Sequence, residues 1–267
     1  MNTETALNDC RLESLMAQNP CRLIRFSGAD SRDVLACIPH AGAGVSVFND
    51  WSCLLGDWVK LAFVQLPGRE DRLQESLTQP LEHIAWQLAE ALMALAPRTL
   101  AIFGHSMGAS LAWAVAGMLW KRHGVCATLI LSAQSPQPRR LGALNPTADL
   151  RGWFARMGEP YPEALDHPEV RALFCLTFEH DLAWMDRELP QTPDGPYPFD
   201  VHCLYGSDDG LVGRDAMAQW ATLTTGSFAL TEIHGGHLYP LSAQQHIIDY
   251  LKPIIATRKR HADTLCP

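Results

Sequence analysis

Short apolar runs alternate with longer stretches of helical period along most of the chain. Runs of β type fall at 23–26, 34–39, 61–66, 100–104, 128–133, 201–205 and 228–233, which predicts about seven strands. Between them, Leu81, Ile84, Leu88, Ala91, Leu92 and Leu95 recur at helical spacing, and 108–120 is an almost wholly apolar helix suited to burial. Strand and helix in alternation predict an α/β architecture, a mostly parallel sheet with helices on both faces. The rhythm stops at 136–198, which reads as helix, helix and Pro/Gly-rich linker without a strand. The expected organisation is an N-terminal extension at 1–20 ending at Asn19-Pro20, a core made of 21–135 and 199–267, and a helical insertion at 136–198 forming a lid.

Composition narrows the function classes. The 267 residues are 47% hydrophobic and 19% charged, enough for one compact domain carrying an insertion. A formal net charge of −8 argues against nucleic-acid binding, since a phosphate backbone selects dense Lys/Arg surfaces. No apolar run is long enough to span a bilayer and no signal-peptide succession opens the chain, so no membrane partner and a cytoplasmic location are expected. Cys10, Cys21, Cys37, Cys53, Cys126, Cys175, Cys203 and Cys266 form no C-x-x-C pair and read as buried reduced thiols. A monomer is expected, because no contiguous unexplained apolar surface can be identified.

The strongest chemical signal is Gly104-His105-Ser106-Met107-Gly108, lying between a strand and a helix. A G-x-S-x-G in that context is a nucleophile elbow: the glycines permit a sharp turn that lifts the Ser106 hydroxyl above the sheet, and the helix N-terminus favours developing negative charge. Serine needs a base oriented by a carboxylate, following it in the order acid, then histidine. Tyr205-Gly206-Ser207-Asp208-Asp209-Gly210 follows a strand and offers Asp208 or Asp209. Ile233-His234-Gly235-Gly236-His237 follows the last strand, and its glycines permit a tight excursion that favours His237 over His234 as the base. Metal ligation by these histidines lacks a third and fourth ligand at suitable spacing, so no metal is expected. An oxyanion hole needs two backbone N–H donors, here Met107 after the nucleophile and Ala41 in the loop Pro39-His40-Ala41-Gly42-Ala43-Gly44. That loop is no dinucleotide site, because Val47 stands where a third glycine is required.

Four segments together resemble the type II, or external, thioesterases that accompany non-ribosomal peptide and polyketide synthases. They are Ile38-Pro39-His40-Ala41-Gly42, Gln65-Leu66-Pro67-Gly68-Arg69-Glu70-Asp71-Arg72, Phe103-Gly104-His105-Ser106-Met107-Gly108-Ala109 and Gly235-Gly236-His237. The resemblance implies an α/β-hydrolase fold and removal of stalled or wrong acyl groups, acetyl included, from the phosphopantetheine thiol of acyl or peptidyl carrier domains. It selects Asp209 over Asp208 through the spacing G-x-x-D-x-x-V and places the base at His237. It requires no cofactor on this chain, since the phosphopantetheine belongs to the partner. Family habit points to a peptide–polyketide assembly line such as a siderophore cluster of the yersiniabactin kind. A small-molecule carboxylesterase with the same triad is the alternative.

Several stretches carry two readings. Arg69, Glu70 and Arg72 either pair to fix their loop or touch substrate. Arg258-Lys259-Arg260 either complement the last helix dipole or dock a carrier. Trp153, Phe154, Phe174, Phe178 and Trp184 are expected to pack the lid, with one or two facing the pocket. Ala41-Gly42-Ala43-Gly44 departs from the family's Ala-Gly-Gly-Ser, and Leu176-Thr177-Phe178-Glu179-His180-Asp181-Leu182 matches its R-A-D-F only loosely.

Overall fold

The structure, a computed structural model, describes residues 23–28, 31–137, 145–189 and 193–265, with side chains described up to 256 in the last helix. The extension 1–20, and the side chains of Arg258, Lys259 and Arg260, lie outside the described residues. Strands β1 (Ile24–Gly28), β2 (Asp33–Ile38), β3 (Lys60–Val64), β4 (Thr99–His105), β5 (Thr128–Ser132), β6 (Val201–Gly206) and β7 (Phe228–Ile233) form one seven-stranded sheet in the order β1-β3-β2-β4-β5-β6-β7. β1 runs antiparallel to β3 at the edge, and every other pairing is parallel. Eight helices accompany the sheet among the described residues: α1 (Trp51–Leu55), α2 (Leu81–Met93), α3 (Met107–His123), α4 (Leu150–Arg156), α5 (Pro168–Glu188), α6 (Arg214–Ala218), α7 (Tyr239–Ser242) and α8 (Gln244–Leu265).

Side-chain alternation divides the core into two layers. Val34, Ala36 and Ile38 of β2 join Ile102 of β4 and Leu129 of β5 beneath α2 and α3. Their neighbours Leu35, Cys37, Phe103 and Ile130 face the opposite way, onto Trp51 and Leu55 of α1 and Ile247, Ile248 and Leu251 of α8. Both faces of the central strands are therefore apolar, which is why they read as continuous hydrophobic runs. α2 stops short of the expected 95 where Ala96 takes φ 45° just before Pro97. α3 runs beyond the expected 120 to Gly124, whose φ of 65° closes it, with Lys121, Arg122 and His123 in the last turn complementing its dipole.

The chain between β5 and β6 carries α4 and α5. The C-terminal half of α5 is tied to the core: Trp184 Nε1 donates to Gln79 O at 2.9 Å, and Glu188 Oε2 accepts the Leu81 N–H at 3.2 Å, satisfying a donor at the start of α2. The cysteines depart in part from expectation. Cys37 and Cys203 are buried thiols pushed upward in pKa by burial, Cys126 and Cys175 are half-buried, and Cys53 is exposed. Cys10, Cys21 and Cys266 lie outside the described residues. Among the described residues no helix is long and apolar enough to cross a membrane.

Phe103 is fully buried on β4 against Phe48 and Trp51, one residue before the elbow. Phe103→Ala is expected to cost about 3–5 kcal/mol through lost transfer energy and a residual cavity. Urea denaturation should show this as a lower midpoint at unchanged slope.

Candidate active site

The order of strands reverses around β2 and β4, and ligands of open α/β sheets bind beyond the strand ends at such a switch. β2 ends at Ile38 opposite Gly104 of β4, so the candidate oxyanion loop and the elbow leave the sheet side by side. Their backbones approach very closely. A Cβ on Gly104 would lie 2.2 Å from Gly108 O, and one on Gly108 would lie 2.3 Å from Ile38 O. Glycine at both positions is thus required by contact, while Ser106 itself is held at φ 52°, ψ −121°, a strained conformation for a side-chain-bearing residue. Its N–H donates to Ser132 O at 2.8 Å, anchoring the elbow to the end of β5.

His237 bridges the other two triad candidates. Its Nε2 stands 3.0 Å from Ser106 Oγ and its Nδ1 2.8 Å from Asp209 Oδ2. The partners define the tautomer: Nδ1–H donates to the carboxylate, leaving Nε2 to accept from the serine hydroxyl. Asp209 Oδ1 accepts the N–H groups of Leu211 at 2.8 Å and Val212 at 3.2 Å, so its orientation is set by its own loop. The side chains of His237 and Asp209 are 7% and 0% exposed, against 91% and 60% for His234 and Asp208. His234 and Asp208 face solvent beside each other, away from Ser106.

Met107 opens α3, where its N–H has no intrahelical acceptor. In the facing loop, Gly42 N–H donates to Asp181 Oδ2 at 2.7 Å and Ala43 N–H to His40 O at 3.2 Å. Both amides are engaged away from the elbow, and Ala41 is the residue of this loop that lines the pocket with His40.

The segment between β5 and β6 builds much of the remaining wall. Trp153, Phe154, Met157, Phe174, Phe178, Leu182 and Met185 enclose a cavity of about 50 Å³ with Ser106 and His237. Four of the five aromatics of this segment therefore line the pocket, more than the one or two expected, because α4 and α5 both turn aromatic faces inward. Trp184 is the exception and packs against the core. The turn after α4 also clasps the base loop. Met157 O accepts the His237 N–H at 2.6 Å, and Glu159 Oε1 accepts the Leu238 N–H at 2.6 Å. Gly210 and Gly158 permit this seam, since a Cβ would meet Arg156 O at 2.2 Å and Asp208 O at 2.3 Å respectively. Nothing local in the sequence announces Glu159. Asp181 had a faint signal, as the aspartate of the loosely matched R-A-D-F stretch. For the Arg69 to Arg72 stretch, the structure shows pairing: Arg69 with Asp181, Arg72 with Glu75, and Glu70 accepting from Ser46 N–H and Gln65 Nε2.

Comparison with known proteins fits this arrangement. The thioesterase domain family model matches residues 33–255. The chain belongs to the thioesterase family. It is 31% identical over 242 residues to thioesterase PikA5 of Streptomyces venezuelae, covering 88% of this chain and 85% of that one. It is 28% identical to AMB antimetabolite synthetase AmbE of Pseudomonas aeruginosa, matching 88% of this chain but only 11% of that much longer protein. Among solved structures, the type II thioesterase BorB from the borrelidin biosynthetic cluster superposes with a TM-score of 0.74 at 27% identity, covering 87% of this chain and 97% of that one. The fold is that of α/β-hydrolase thioesterases.

Two further histidines crowd the site of this thioesterase-family chain. His40 donates from Nδ1 to Ala41 O at 2.9 Å, and its Nε2 is sealed from solvent without a partner. Burial lowers its pKa from the ordinary 6.5 to about 4, the Ala41 hydrogen bond partly opposing. His105, buried next to it, is likewise lowered well below its ordinary value by burial, while its Nδ1 pairs with Ser132 Oγ at 2.8 Å. Both rings are held neutral in the folded state. The unfolded chain takes up their protons near 6.5, so between pH 6.5 and about 4 it binds more protons than the folded chain. Stability should be fully present above 6.5 and decline as pH falls toward 4. Urea midpoints measured across that window should fall with pH, and His40→Gln should flatten the slope.

Proposed function

We propose that this chain hydrolyses short acyl groups from the phosphopantetheine thiol of carrier domains in a non-ribosomal peptide or polyketide assembly line. The observation that carries the reading is His237 within hydrogen-bond reach of both Ser106 and Asp209. Ser106 Oγ attacks the thioester carbonyl carbon as His237 Nε2 takes its proton. The carbonyl oxygen gains charge and is met by the Ala41 and Met107 amides. Collapse of the tetrahedral intermediate expels the pantetheine thiolate, which takes the proton from the imidazolium. Water then attacks the acyl-Ser106 ester with His237 as base, releasing the carboxylic acid and restoring the serine. Asp209 holds the imidazole in the required tautomer throughout. The chain acts as a monomer in the cytoplasm, with the segment carrying α4 and α5 serving as a lid.

The pocket supports the substrate class. A cavity of about 50 Å³ lined by the stacked rings of Phe174 and Phe178 suits an acetyl-sized group better than a long chain. Enlarging it should move the preference: Phe178→Ala is expected to raise butyryl relative to acetyl turnover by roughly tenfold, as hydrophobic pockets discriminate by that order per methylene. Competition assays with acetyl and butyryl carrier substrates check this.

The roles separate cleanly in two variants. Asp209→Asn is expected to lower kcat by about 10⁴, the cost of a wrong histidine tautomer in other serine triads. Asp208→Asn should leave it within about twofold, as exposed surface substitutions do. The deciding experiment compares acetyl-phosphopantetheinyl carrier protein, acetyl-CoA and p-nitrophenyl acetate with wild type and Ser106→Ala. Preference for the carrier substrate, lost in Ser106→Ala, supports the proposal. Turnover of the p-nitrophenyl ester without any of the carrier substrate would reassign the chain as a small-molecule carboxylesterase.

A further inference from the structure

Arg69 and Asp181 lie in different parts of the chain, one after β3 and the other in α5, and their side chains are only 4% and 1% exposed. The guanidinium meets the carboxylate in a two-pronged pair, Nη2 to Oδ1 at 2.5 Å and Nη1 to Oδ2 at 2.8 Å. Its remaining donors are spent on backbone, Nε and Nη2 on Pro67 O and Nη1 on Ala43 O at 3.0 Å. The carboxylate uses Oδ2 a second time, to accept the Gly42 N–H at 2.7 Å. The buried pair thus grips the oxyanion loop on both sides of Gly42.

This grip orients two successive peptides. The Ala41–Gly42 peptide has its C=O on the His40 ring and its N–H on Asp181. The His40–Ala41 peptide has its C=O on the Ala43 N–H, which turns its own N–H, that of Ala41, the opposite way. Gly42 sits at φ 79°, a conformation open to glycine that lets the loop make this turn. We propose that Arg69 and Asp181 are positioning residues that assemble the oxyanion hole, so that seating of α5 and presentation of the Ala41 amide are one event. Lifting α5 at Asp181 frees the Gly42 amide and strands a buried guanidinium, which is strongly unfavourable. The anchored half of α5, held also through Trp184 and Glu188, is then a fixed wall of the site. Access is left to its N-terminal half, where Val170, Leu173 and Leu176 are exposed.

The inference rests on the reading of Ser106 as nucleophile but not on the identity of the acyl carrier, so p-nitrophenyl acetate serves as substrate. Asp181→Asn is expected to lower kcat by roughly 10- to 100-fold with KM little changed, on the scale of a weakened oxyanion donor. Affinity for a methyl trifluoromethyl ketone, which places an oxyanion in the same hole, should fall by a similar factor. Arg69→Met with Asp181→Leu replaces the buried pair by apolar side chains, an exchange that commonly preserves or raises stability. That double variant should keep the wild-type thermal midpoint yet stay slow, because Gly42 N–H has lost its acceptor. Wild-type kcat and ketone affinity in Asp181→Asn overturn the proposal. Full activity in the folded double variant also overturns it, even if Asp181→Asn fails to fold. A wild type silent on both this ester and the acetyl carrier substrate overturns the Ser106 reading instead, which separates the two failures.

Discussion

The contact on which the site depends is the near collision of two backbones at Gly108. With no Cβ there, the first turn of α3 packs directly on the Ile38 carbonyl at the end of β2. That approach places the loop after β2 within reach of the helix start, so one carbonyl oxygen can meet amides from both. It also forces the elbow into the tight turn that leaves Ser106 at positive φ, strain that the flanking parallel strands and the Ser106 N–H to Ser132 O bond offset. A methyl group at Gly104 or Gly108 would separate these parts, and the remaining side chains would have nothing to converge on.

The segment between β5 and β6 frames the candidate site as well as lining it. Its α4 end holds the loop carrying His237 by the Met157 carbonyl and Glu159, whose half-buried carboxyl is raised in pKa by desolvation. Its α5 end holds the loop after β2 through Asp181. Two loops that leave different strands are thereby referenced to one helical unit, and the geometry between His237 and the Ala41 loop becomes a property of how that unit sits.

Electrostatically the closest partner of His237 is the buried Asp209 carboxylate. His105 lies in ring contact with His237 and His40 in ring contact with His105, and both are kept neutral by burial. Tyr239, pushed upward in pKa by burial, closes the chain from His105 through Ser132. The carboxylates near His237 are the buried Asp209 and the half-buried Glu159, and neither neighbouring imidazole competes with it as a cation.

Sequence alone determined the parts whose information is local. Strand positions follow from apolar runs that central parallel strands must have on both faces, and the elbow follows from glycines that steric contact demands. The edge strand β1 was visible as a run, but its antiparallel sense was not, since direction is a matter of pairing. Ser106, Asp209 and His237 could be named from motif spacing, yet adjacent Asp208 and nearby His234 have the same chemistry. Only the folded loops bury one pair and leave the other in solvent. Likewise Arg69 carried two open readings until α5 brought Asp181 to it from 112 positions away. Pocket size, the inward turn of four lid aromatics and the clasp by Glu159 have no sequence signature, because they are set by how separate elements dock rather than by any one element's pattern.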